Sequence, residues 1–230
     1  MRRIAVLLLT ALLVASFAAL GTWQLQRRTW KLALIEQIGS RVHAPPAEAP
    51  ISFEAGRDAY RRVQVDGRFD IAAQTLVQAV TERGAGFWVL TPLHRAGGNT
   101  VLVNRGFVAA GDRDHVAPAL EPTRIVGLLR ASEPGGGFLR RNDPAANRWY
   151  SRDVIAIADA HALPNVAPYF IDAEASAGVE VVGGNTPIGG LTVITFSNNH
   201  LVYAITWFTL ALMSAAAGWR VMREEPHDQR

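Results

Sequence analysis

The chain contains no cysteine. Disulfides, thiolate metal sites, a redox Cys-x-x-Cys pair, covalent c-type haem attachment and a cysteine-based copper carrier are therefore excluded. Lysine is almost absent as well. Lys31 is the single lysine among 23 basic residues, and we read the arginine excess as codon bias before function. A net charge of one sign is equally scarce. The formal charge is +3 over 230 residues, and between Arg27 and His200 there are 18 basic and 17 acidic residues. A nucleic-acid binder shows a concentrated basic face. None is visible, so no nucleic-acid partner is expected.

Catalytic motifs are missing too. His43, His94, His115, His161, His200 and His227 form no His-Glu-x-x-His pattern. There is no Gly-x-Ser-x-Gly elbow. The glycine triplet at 135–137 lacks the lysine and the following helix of a phosphate loop, and reads as a flexible loop. Asp112 and Asp114 beside His115 read as a solvated turn. No nucleophile, base and orienting group can be assembled from the spacing, so no enzymatic activity is expected.

What the chain does have is apolar length. Residues 4–20 carry no charge, and with 21–25 the stretch reaches 22 residues. A membrane-spanning helix needs roughly 20. Arg2 and Arg3 precede the stretch, and Arg27, Arg28 and Lys31 follow it. A cleaved signal peptide shares the basic start and apolar core, but its apolar run is usually roughly 7–15 residues. Trp23 also stands where an interfacial anchor belongs. A retained helix is expected. Residues 201–219 form a second uncharged run, closed by Arg220 and Arg223; its length and lack of charge argue against a buried core helix.

Two spans return both termini to one side of the bilayer. Basic residues flank both ends of the first span, so the positive-inside rule is divided. A long segment translocates largely regardless of its charge. We therefore expect cytoplasmic termini and a periplasmic middle.

The expected organisation is a transmembrane helix at 4–25, a helical extension and proline-rich linker at 26–50, an extracytoplasmic β-rich domain at 51–198, a second transmembrane helix at 200–219 and a cytoplasmic tail at 220–230. Trp30, Leu34 and Ile38 have helical spacing, and the prolines of 43–50 must end that helix. Strands are predicted over 62–69, 75–80, 87–93, 100–108, 124–129, 169–172 and 191–196. A helix is predicted over 153–163, capped by Asp153 and stopped by Pro164. The fold class is membrane α+β: two terminal spans flanking a mainly antiparallel sheet or barrel-like domain with one or two helices.

His200 stands out by position. It immediately precedes the second span, with Tyr203 and Trp207 following at i+3 and i+7 on the same helix face. At the helical rise, Trp207 lies about 10 Å deeper than His200, which is deep for a belt residue. Two readings stand on spacing alone. A neutral imidazole above aromatic groups suits a flat, membrane-soluble metallocycle such as haem. The same residues also suit an interfacial histidine that caps the helix, with belt and packing aromatics beneath.

Four blocks carry a resemblance. The first is Gly21-Thr22-Trp23-Gln24-Leu25 with Arg27, Trp30 and Lys31. The second runs from Thr100 through Asn104-Arg105-Gly106-Phe107 to Val108, with Tyr60-Arg61 and Gly67-Arg68-Phe69-Asp70 upstream. The third is Asn142-Asp143-Pro144, Asn147-Arg148-Trp149-Tyr150 and Asp153, then Phe170-Ile171-Asp172-Ala173. The fourth is Pro187-Ile188-Gly189-Gly190, then Asn199-His200-Leu201 with Tyr203, Thr206 and Trp207. In this order, and with a helix at each end, they resemble the surfeit locus protein 1 family of cytochrome c oxidase assembly factors. Phe107 departs from the pattern, since bacterial members often carry Trp there.

The resemblance implies an inner-membrane protein that helps place haem a into the main subunit of a haem–copper oxidase. It implies His200 as an axial ligand of the haem iron. Tyr203 and Trp207 would line the pocket, with Trp23 and Trp30 closing it from the first helix. Arg105 would pair with a haem propionate or, on the alternative reading, with an acidic neighbour in the sheet. The expected partners are the main oxidase subunit, the lipid bilayer and a haem a biosynthesis enzyme. The first span starts at Ile4, which leaves no room for an organelle-type presequence, so a bacterial cell membrane is expected. The competing expectation is a membrane scaffold that stabilises oxidase intermediates and binds no cofactor.

Overall fold

The computed structural model describes residues 2–117, 123–137, 139–175, 186–192 and 196–223. The chain divides into two compact units, Met1–Gln37 with Ile194–Arg230, and Ile38–Val193.

The first unit is a pair of helices, α1 (Arg2–Val42) and α4 (His200–Arg223), and α1 continues past Gln37 into the second unit. Both are long and apolar enough to cross a membrane. Their large apolar side chains point outward: Leu8, Leu12, Val202, Ile205, Leu212 and Met213 are all exposed. The buried residues of α4 are instead small, namely Ala204, Ala211 and Gly218. They recur every seven residues and mark the seam against α1. A Cβ added to Gly218 would lie 2.4 Å from Thr10 Oγ1, and one added to Gly21 would lie 2.8 Å from the Phe208 ring. Small residues let two helix backbones approach closely.

The second unit is a β-barrel-like sheet. Its strands are β1 (Ala47–Glu48), β2 (Arg62–Phe69), β3 (Thr75–Thr81), β4 (Gly84–His94), β5 (Thr100–Ala109), β6 (Thr123–Ala131) and β9 (Val166–Ala173), in the order β1-β2-β6-β9-β5-β4-β3. An additional β2–β4 pairing closes β2, β6, β9, β5 and β4 into a ring. The closure places Arg68 opposite His94, and Gly67 permits it. A Cβ at Gly67 would meet the His94 carbonyl oxygen at 2.5 Å. Most pairings are antiparallel, but β1–β2 and β5–β9 are parallel.

Strand periodicity explains the two cores. Val101 and Val103 of β5, Tyr169 and Ile171 of β9, and Val63 and Val65 of β2 fill the barrel. Leu102 and Phe170 point the other way and pack with Val77, Leu90, Trp149 and Ile157 beneath α3 (Val154–Ala160). The central strands are thus buried on both faces, which is why β5 reads as a nearly continuous apolar run.

The structure corrects the sequence reading in several places. The proline-rich stretch ends α1 as expected, but it is part of the barrel rather than a linker. Ala47 and Glu48 pair with Val63 and Gln64, Ala49 enters the core, and the Pro50 carbonyl accepts a hydrogen bond from the Tyr169 hydroxyl. Burial pushes that phenol up to about 12. The glycine triplet is not a plain loop: Gly136–Gly137 (β7) pairs with Arg140–Arg141 (β8). The helix capped by Asp153 stops at Ala160, four residues before Pro164, because Ala162 takes a left-handed conformation (φ 51°). Asp112, Asp114 and His115 lie in a short 3-10 helix, Ala110–His115, in which nothing is buried. Leu191, Thr192 and Phe196 belong to no strand, and 193–195 fall outside the described residues. Ile188 bridges to Phe107 instead. Gly106 (φ +134°) makes room for that contact, since a Cβ there would meet the Ile188 carbonyl at 2.4 Å.

Candidate functional site

His200 is the first residue of α4, next to the carbonyl of Asn199 that accepts from the Tyr203 N–H. Its ring does not point into open space. His200 Nδ1 lies 2.7 Å from Oε1 of Gln24 on α1, a contact between residues 176 positions apart. Seven residues along each helix, Phe17 and Trp207 stack with centroids 5.8 Å apart and an interplanar angle of 24°. The heptad offset is the same on both strands of this antiparallel pair, so the hydrogen bond and the ring stack belong to one seam.

The other expected site residues are placed less tightly. Tyr203 is 55% exposed. Trp23 and Trp30 are 52% and 54% exposed, and the Arg27 guanidinium sits 4.3 Å from the centroid of Trp30. Neither tryptophan stacks on Tyr203 or Trp207 among the described residues. Asn198, two residues before His200, has a buried Oδ1 without a hydrogen-bond partner. Such an orphaned acceptor is uncommon in a settled structure.

The chemistry of this donor set is narrow. Among the described residues no group of three or more His, Cys, Asp or Glu side chains could hold a metal ion. A single imidazole, His200, is the residue of this set that could hold a metal already carried within a macrocycle.

Arg105 lies in the barrel unit. Its Nη1 donates to Gln74 Oε1 (3.1 Å), its Nη2 donates to the Ala117 carbonyl (2.7 Å), and it covers the Phe69 ring at 5.6 Å. Its partners are a side-chain amide and a backbone carbonyl rather than the acidic neighbour considered from sequence. Burial holds the guanidinium below its ordinary value.

The barrel has a cleft of its own, about 200 Å³, lined by Trp88, Asn104, Arg130, Arg152, Asp172 and Thr192 among others. Its charges are spent on one another. Asp172 accepts from Asn104 Nδ2 (2.8 Å), Arg152 Nη1 (3.1 Å), Arg130 Nη1 (2.7 Å) and Thr192 Oγ1 (3.0 Å). Arg152 also grips Glu133 through Nε and Nη2. Two guanidiniums balance two carboxylates, and the network ties β5, β6 and β9 to the returning segment.

Sequence reasoning missed Gln24, Phe17 and Asn198. Gln24 did carry a signal. It is a polar residue at the end of an uncharged run, where an unpaired amide is costly and a partner is to be sought.

Comparison with known proteins points one way. The SURF1 family profile matches residues 11–212. Surfeit locus protein 1 of Mus musculus is 38% identical over 223 residues, covering 86% of this chain and 70% of that protein. The Homo sapiens protein of the same name is 38% identical over 217 residues, covering 84% and 69%. A SURF1-like protein of Monosiga brevicollis is 34% identical over 223 residues, covering 90% and 83%.

Proposed function

Because this chain belongs to the SURF1 family, we propose that it is an oxidase assembly factor that holds haem a through His200 and presents it to the main subunit of a haem–copper oxidase. Two membrane spans, α1 and α4, anchor it in a bacterial cell membrane, with both termini cytoplasmic and the barrel unit in the periplasm. It acts as a carrier, not a catalyst. The observation that carries this reading is His200 at the start of α4, with Nδ1 engaged by Gln24 and, among the described residues, no partner at Nε2.

In this reading the Nε2 lone pair of His200 binds the haem iron. Tyr203 and Trp207 offer apolar surface on the same helix, and the exposed rings of Trp23 and Trp30 on α1 are available to cover the macrocycle. Arg105 is assigned no part, since its guanidinium is already held by Gln74 and the Ala117 carbonyl within the barrel unit. The barrel unit is the part that meets the oxidase, and a haem a biosynthesis enzyme is the natural donor.

The test is spectroscopic. Protein purified from cells that make haem a should carry its absorbance in near-stoichiometric amount, and His200→Ala should lose it. Absorbance unchanged in His200→Ala would remove the ligand role. A complete lack of haem in the wild-type protein would favour the scaffold reading instead.

A further inference from the structure

We propose that Gln24 is the positioning residue for His200, holding the imidazole as the Nδ1–H tautomer so that Nε2 keeps its lone pair for iron; this rests on the haem reading above. A neutral imidazole has one N–H and one lone pair, and whichever nitrogen donates leaves the other as the ligand. Here Nδ1 faces an acceptor. Gln24 Oε1 at 2.7 Å accepts the hydrogen bond that Nδ1–H donates and has no proton to give. The free valence of the ring is thereby assigned to Nε2. With the amide of Gln24 turned the other way, its NH2 would donate to Nδ1, the proton would sit on Nε2, and the ligand position would be closed.

Two neighbouring contacts hold the pair in register. Phe17 on Trp207, one heptad along the seam, fixes how far the helices slide past one another. Gly21 lies between Phe17 and Gln24 on α1 and lets Phe208 approach. A ligating histidine is commonly oriented in this manner, through a hydrogen bond at its other nitrogen, and loss of that bond typically weakens metal affinity about 10–100-fold. Gln24 is 176 residues from His200, so the ligand would be competent only when the two helices are paired. Haem retention would thus be coupled to helix pairing.

The experiment has two arms, both on the full chain in lipid nanodiscs. In the first, 15N NMR of histidine-labelled, haem-free protein reads the tautomer of His200, assigned by loss of its signals in His200→Ala. The expected result is a protonated Nδ1 and an unprotonated Nε2 in the wild type and in Gln24→Glu, which keeps an acceptor. Gln24→Leu should shift the population toward Nε2–H. In the second arm, haem titration should show an affinity about 10–100-fold weaker in Gln24→Leu and restored in Gln24→Glu. A wild-type His200 protonated at Nε2, or a Gln24→Leu variant with unchanged tautomer and haem affinity, would overturn the proposal. If the wild type bound no haem, the carrier reading would fail, while the NMR arm would still decide the tautomer. Should Gln24→Leu fail to fold, the wild-type NMR result remains decisive.

Discussion

Asp58 shows how one carboxylate is kept ionised. Its side chain is buried, and it accepts from Arg57 Nε and Nη2, from Arg61 Nη1 and from the Glu54 N–H. The Arg57 hydrogen bond outweighs burial, and with the other donors holds this carboxyl well below the usual carboxylate range. The folded value lies below the unfolded one, so the fold favours the ionised form. That stabilisation is complete above the unfolded value of about 3.9 and is lost as pH falls through the folded one. The contribution of Asp58 to the thermal midpoint of the detergent-solubilised protein should therefore be full and independent of pH near neutrality, and the midpoint should drop in acid. Asp58→Asn should lower the midpoint at pH 7 and flatten the acid decline. Asp172 carries a larger consequence. Arg130 and Arg152 are mostly buried, with side chains 19% and 13% exposed. Asp172→Ala would take the nearest carboxylate from both, leaving Arg152 with Glu133 alone; breaking a buried pair costs about 3–5 kcal/mol, and denaturant unfolding should show a loss approaching that size.

At the scale of elements, the α1–α4 seam makes a prediction that the absence of cysteine keeps clean. A Cβ built on Gly218 would lie 3.0 Å from Thr10 Cβ, close to the roughly 3.5–4.5 Å spacing that a disulfide uses. Thr10→Cys with Gly218→Cys should form one intramolecular crosslink on mild oxidation, visible as a reducible gel shift. Absence of that crosslink in membranes would mean that the helices do not pair in this register. The contact between β5 and the segment at Ile188 is testable in the same spirit. Gly106→Ala forces a side chain against the Ile188 carbonyl at a positive φ, a strain of about 1–3 kcal/mol. Hydrogen exchange at the Ile188 and Phe107 amides, which bond each other's carbonyls, should accelerate in this variant while exchange in β4 stays slow.

For the whole molecule, two helices of membrane-spanning length predict a topology. A fluorescent reporter that matures only in the cytoplasm, fused after Arg223, should be active. Activity confined to a periplasm-specific reporter would reverse the orientation. On the proposed carrier role, a deletion strain should retain oxidase protein while losing oxidase haem. Much of this architecture was legible because its signals are local. The strand at 62–69 showed itself by alternating apolar residues, and those predicted at 75–80 and 100–108 by short apolar stretches bounded by turns. The Pro-rich stretch at 43–50 misled because proline does end a helix, yet an edge strand tolerates it, and Ala47 and Glu48 found a partner in β2. Arg105 misled because its environment is set by Gln74 and Ala117, neither adjacent to it in sequence.

Length and apolarity belong to a segment, so the sequence alone determined the two helices long and apolar enough to cross a membrane, the strand-rich middle and the family. Contacts belong to pairs. Only the tertiary structure decided that the barrel closes through Gly67 at His94, that the cleft's arginines neutralise their own carboxylates, and that Gln24 reaches His200. The reason is the same in each case. Which lone pair or N–H of a polar group remains available depends on what the rest of the chain brings to it, and no pattern along one helix contains that information.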